Sequence, residues 1–133
     1  MRMQHKRIHT EQRVDQLIQH FWKNGYLTLS RRFGTYLPAP KPVGQYEIDA
    51  LGKYKKKVVI GIILKENEIN DPKTISKIDF LATRQTRYSK KRVILYLGTP
   101  EQYLNKVRIL VKSLSAETQK NIKIVPINDG ALG

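Results

Sequence analysis

A single α/β domain, with a mixed β-sheet flanked by helices in the order αβββαβαβ, is the fold class that the sequence predicts. Three observations lead there. The run Val58 to Leu64 is almost uninterrupted Val, Ile and Leu, as a central strand buried on both faces requires, and it follows a weakly alternating segment across a short basic turn. Three further segments carry apolar residues at helical spacing. The last two apolar strands are each preceded by one of those helices, so they enter the sheet by crossovers. With 133 residues, 40% of them hydrophobic, the chain is long enough to bury one core, and residues 1–133 are read as one domain.

Residues 10–24 form the first helix, with Val14, Leu17, Ile18, Phe21 and Trp22 as its core-facing stripe and Gly25 as its stop. Residues 1–9 are expected to fray. Glu11 and Asp15 lie in its first turns, where acidic groups suit the helix dipole. Residues 26–30 are the first strand. The segment 31–44 holds Pro38, Pro40 and Pro42, which rule out a helix or a central strand, and it interleaves Arg31, Arg32 and Lys41 with Phe33 and Tyr36. Such a loop suits phosphate contact with base stacking, or equally a stiff connection whose aromatics pack on the sheet. Residues 45–51 and 58–64 then form a hairpin about the turn 52–56, which contains Lys55 and Lys56, and Asp49 and Lys65 are expected to approach each other at one edge of the pair.

Asp71-Pro72 reads as a helix start, and the second helix is expected to run to about residue 88 with Ile75, Ile78, Leu81 and Ala82 inward. Its end holds the densest basic cluster, with Arg84, Arg87, Lys90, Lys91 and Arg92. Residues 92–97 are a buried strand. Thr99-Pro100-Glu101-Gln102 has the spacing of a capping box and opens a third helix, and residues 122–127 are the last strand, with 128–133 expected to fray.

Charge bounds the function. Lys and Arg number 25 against 11 Asp and Glu, a formal +14, and such an excess repels itself unless a polyanion uses it. A nucleic acid is the expected partner, with a solubility surface or an acidic protein as the plainer alternatives. No apolar run approaches a membrane span and the first ten residues lack the apolar stretch of a signal peptide, so no membrane partner and a cytoplasmic location are expected. The absence of cysteine excludes disulfides, thiolate metal sites and cysteine nucleophiles. His5, His9 and His20 are too scattered for a metal site.

The order of elements, with Asp49 in Glu47-Ile48-Asp49 and Lys65 closing the apolar strand, resembles the PD-(D/E)XK nuclease superfamily, the restriction-endonuclease-like fold, and most of all its small archaeal Holliday-junction-resolvase-like members. The resemblance spans nearly the whole chain. It implies a catalytic set of Glu11, Asp49 and Lys65, a Mg²⁺ or Mn²⁺ ion held by Asp49 and Glu11, and DNA contacts from Gln85 and Tyr88. It also implies a homodimer, for which the apolar third helix or the Tyr96-Leu97 segment offers a surface. One position departs from the pattern: where the family carries an acid two residues before the lysine, this chain has Ile63, which supplies no oxygen. Glu66, Glu68 and Asp79 are the acids near enough in sequence to replace it, although each also reads as a solvated charge. The expectation is therefore a DNA-binding protein of nuclease-like fold with a degenerate metal site and no cofactor. The alternatives are an active metal-dependent endonuclease or resolvase with a displaced carboxylate, and a basic structural or RNA-binding protein. Expected nucleic-acid contacts are Arg31, Arg32, Lys41, Lys55, Lys56, Arg84, Gln85, Arg87, Tyr88, Lys90 and Lys91.

Overall fold

The computed structural model describes residues 2–86 and 91–129, with side-chain surroundings from residue 10 onward. Its elements run α1 (Arg2–Lys23), β1 (Leu27–Arg31), β2 (Ala50–Tyr54), β3 (Lys57–Ile63), α2 (Glu66–Ile69), α3 (Lys73–Ala82), β4 (Ile94–Pro100), a 3₁₀ turn (Glu101–Tyr103), α4 (Leu104–Lys112), α5 (Ala116–Gln119) and β5 (Ile122–Ile127). The five strands form one open sheet in the order β1-β2-β3-β4-β5. β1, β2 and β3 are antiparallel neighbours, whereas β3, β4 and β5 run parallel. The sheet is mixed because the irregular segment 32–49 and the tight turn after Tyr54 reverse the chain between the first three strands, whereas helical crossovers join the last two.

The sheet separates two apolar layers. Val14, Leu17, Ile18 and Phe21 of α1 pack with Ala50, Val59, Ile63, Tyr96, Val125 and Ile127 on one side. Ile78 and Leu81 of α3 and Val107 and Val111 of α4 pack with Ile60, Ile62, Leu95 and Leu97 on the other. α1 sits close because β3 carries a glycine beneath it: a Cβ on Gly61 would come within 2.7 Å of Leu17 Cδ2. Phe21 and Tyr26 each meet Tyr96 edge-on, with Phe21 and Tyr96 centroids 5.3 Å apart, and lie tilted against each other.

Several boundaries differ from those the sequence predicts. α1 begins at Arg2 rather than near residue 10, so 2–9 continue the helix. At the other end Asn128 and Asp129 are tied to α1, by the Asn128 N–H on Gln16 Oε1 (2.9 Å) and by Arg13; residues 130–133 lie outside the described part. The hairpin turn contracts to Lys55-Lys56, since Tyr54 already pairs with Lys57, and Lys55 takes the left-handed backbone that so tight a reversal demands. A short helix not expected from the sequence, α2, precedes the second expected helix, which starts where expected, with the Asp71 side chain accepting the Lys73 N–H (2.9 Å) at the head of α3. α3 then stops at Ala82 rather than near 88, and Gln85 forms an antiparallel bridge with Arg92.

The capping box after β4 does not form. Thr99 is fully buried inside the strand and gives its hydroxyl to the Pro100 carbonyl, so the helix opens through a 3₁₀ turn instead. β4 also lies between β3 and β5, which removes the Tyr96-Leu97 segment as an edge for dimerisation. Trp22 is the largest departure in the core. It lies 63% exposed at the margin of the α1 stripe, beyond the position that Phe21 fills.

Candidate nucleic-acid interface

Asp49 precedes β2 rather than lying on it, and its position follows from where the hairpin pairing ends. Ala50 pairs with Gly61, so the Ile63 N–H projects past the start of β2 with no backbone acceptor from that strand. Asp49 Oδ2 accepts it at 2.8 Å. Asp49 Oδ1 receives Arg32 Nη1 at 3.4 Å, and the Asp49 carbonyl accepts the Arg32 N–H at 2.9 Å. Burial pushes the Asp49 carboxyl above its ordinary value, opposed by the Ile63 N–H, by Arg32 and by the positive charge of Lys77. This carboxylate closes a strand end.

Neither of the other two residues of the expected catalytic set makes a hydrogen bond or ion pair with Asp49. Lys65 leaves the sheet: β3 ends at Ile63, and Lys65 is an exposed residue at the start of α2, its N–H donating to Glu68 Oε1 at 3.1 Å. Between Ile63 and Lys65, Leu64 still gives its N–H to the Gly98 carbonyl of β4 at 2.8 Å, and Lys65 keeps an extended backbone before α2 begins. Glu11 lines a groove between α1 and the segment 31–37, and neither Asp49 nor Lys65 is among the residues lining it. The lysine whose charge does reach Asp49 is Lys77 of α3, which sequence spacing alone does not bring to mind.

The donor set does not fit a Mg²⁺ or Mn²⁺ ion, which binds through several oxygens free to turn toward it. Both Asp49 oxygens are engaged, one by a buried N–H and one by a guanidinium. Ile63 packs in the apolar layer beneath α1. Of the substitute acids, Glu66 is paired with Arg13 at 3.0 Å, Glu68 with Lys77 at 3.1 Å, and Asp79 is exposed on α3. Arg13 also binds Asp129 at 2.6 Å, so a fixed cation already sits between the acids that follow β3 and β5. Among the described residues no three His, Cys, Asp or Glu side chains are grouped as a metal would need.

The basic residues fall into two sets. Arg31 is bound to Asp15 at 2.7 Å, Arg32 to Asp49, and Arg84 lies 3.8 Å from the Phe80 ring centroid while giving its Nε–H to the Phe80 carbonyl. Arg31 and Arg32 are thus each matched to an acid of the fold, and Arg84 is held against Phe80 with no acid beside it among the described residues. Gly44 belongs to the same arrangement, with φ +61° and no room for a Cβ against Phe80. In contrast, Lys53, Lys55, Lys56 and Lys57 are exposed around the hairpin turn and make no ion pair with the described residues. Lys55 Nζ lies 5.4 Å from the half-exposed Tyr54 ring. Lys41 and Lys91 are exposed. Gln85 is exposed on its bridge rather than on a helix, and Arg87, Tyr88 and Lys90 lie outside the described residues.

The groove beside α1 has a volume of about 320 Å³, and Trp22, Phe33 and Tyr36 form its aromatic margin. The Arg32 guanidinium stacks 5.1 Å from the Phe33 centroid. No helix of the described residues is long and apolar enough to cross a membrane. Compared with family models, with curated proteins and with solved structures, the chain matches none.

Proposed function

We propose that this chain binds nucleic acid, DNA in the first instance, through a nuclease-like α/β scaffold in which the metal-dependent chemistry has been lost. The observation that carries the reading is the +14 charge, of which the lysines of the β2-β3 turn, without an ion pair among the described residues, are an exposed part. The strand and helix order expected of the restriction-endonuclease-like fold supports the scaffold. The engagement of Asp49 by the Ile63 N–H and Arg32, together with the apolar packing of Ile63, supports the loss of cleavage. Association through phosphate contacts needs no metal, so binding outlives the site. A homodimer belongs to the same proposal, with the exposed Ile109 of α4 as an available apolar contact.

The test is incubation of the protein with linear duplex, single-stranded and four-way-junction DNA, with and without Mg²⁺ or Mn²⁺. Retardation of DNA without cleavage in either condition is expected. Metal-dependent cleavage would replace this reading with that of an active endonuclease, and failure to bind any of the substrates would leave the plainer reading of a basic structural protein.

A further inference from the structure

Trp22 and Tyr36 have no packing role that accounts for them. Trp22 is 63% exposed and Tyr36 is 96% exposed, in a chain whose other core-stripe residues on α1 are buried. Both line the groove between α1 and the segment 31–37, with Phe33 on the same margin. A volume of about 320 Å³ is at the small end for organic ligands, the scale of one flat heterocycle.

The charges of the groove narrow the occupant. Asp15 is neutralised by Arg31 at 2.7 Å, while Glu11 makes no hydrogen bond or ion pair with the described residues. A carboxylate with no partner among the described residues repels phosphate, which disfavours a sugar-phosphate backbone running along the groove. It accepts hydrogen bonds only, so it favours a ring whose edge presents N–H donors. On a protein with a net charge of +14, the ligand that combines an aromatic face, a donor edge and an anionic backbone kept outside is an unpaired nucleobase.

We infer that the groove takes one unstacked base of a single-stranded segment, stacked against Trp22 and Tyr36 and read by Glu11, with guanine preferred. Guanine is the base with two adjacent donors, N1–H and N2–H, on the edge it offers to a carboxylate. This inference rests on the nucleic-acid reading above and adds to it a site, a strand preference and a base preference.

Trp22 is the only tryptophan of the chain, so its emission reports the groove directly. The whole protein is titrated at fixed salt with oligothymidylate, with the same oligomer carrying one central guanine, and with a duplex. Quenching by the single strands, least by the duplex, is expected, with the guanine oligomer binding about tenfold tighter than oligothymidylate. Tyr36→Ala, at a fully accessible position, should weaken single-strand binding about tenfold and leave duplex affinity and its salt dependence unchanged. Glu11→Gln should abolish the guanine preference while oligothymidylate still binds. Unchanged Trp22 emission on saturation with single strands, or equal effects of Tyr36→Ala on single strand and duplex, overturns the inference and leaves the broader reading standing. Emission that shifts with protein concentration alone overturns it in favour of a second copy of the chain as occupant. Absence of binding to every oligomer overturns both.

Discussion

At the scale of residues, Asp49 is decisive because its carboxylate is held against a buried backbone donor. Its Oδ2 satisfies the buried Ile63 N–H at 2.8 Å, a bond that an amide oxygen can also accept. Asp49→Ala should therefore cost about 1–3 kcal/mol in urea unfolding, the penalty of an orphaned buried donor, whereas Asp49→Asn should be close to neutral. The pH dependence has a definite sign. Burial raises the folded-state pKa above the unfolded one, so the contribution of Asp49 is fully present below the unfolded pKa and is lost as pH rises through the folded one. Relative to Asp49→Asn, the parent should lose stability over that window; an unvarying difference would remove the buried carboxylate from the account. Asp49 and Ile63 stand out in the sequence, as does the absence of an acid at position 63. What spacing does not reveal is the engagement of Asp49 by Ile63 and Arg32, because that depends on where the ladder stops, and ladder ends are set by tertiary packing. Trp22 departs from its expected place for a related reason: helical period assigns a stripe but not its margin, and a residue at the margin is buried or exposed according to the loop beside it.

At the scale of elements, the β2-β3 hairpin is legible in sequence because its second strand must be apolar on both faces and its turn must be polar. The tight turn at Lys55-Lys56 concentrates Lys53, Lys55, Lys56 and Lys57 on one projection next to Tyr54. Changing the four lysines to alanine should lower the slope of log affinity against log salt by about three to four, roughly 0.9 for each phosphate no longer neutralised, without lowering the unfolding midpoint. An unchanged slope would move the DNA-binding surface away from the hairpin. The short helix α2 and the early stop of α3 are not legible. Asp71-Pro72 marks the start of α3 correctly, but the chain past Ala82 turns into a Gln85 to Arg92 bridge whose bonds are made by backbone and leave no periodic trace. The apolar spacings of α1, α3 and α4 predict the layers they build, since burying an apolar stripe is the requirement that forms both.

At the scale of the molecule, the mixed sheet with helices on both faces follows from element order and the handedness of crossovers, and it accommodates a surface far from electroneutral. Among the described residues, internal pairing consumes part of the positive charge: Arg13, Arg31, Arg32, Lys77 and Lys120 are matched to acids, and the hairpin lysines are not. The central claim is that this remaining charge binds a polyanion. Its most direct test is the equilibrium affinity of the unmodified protein for DNA, measured without divalent metal as monovalent salt is raised. With about six phosphates contacted, log affinity should fall linearly with log salt, dropping about a thousandfold between roughly 50 and 200 mM. A flat dependence, or no binding at the lowest salt, would contradict the account.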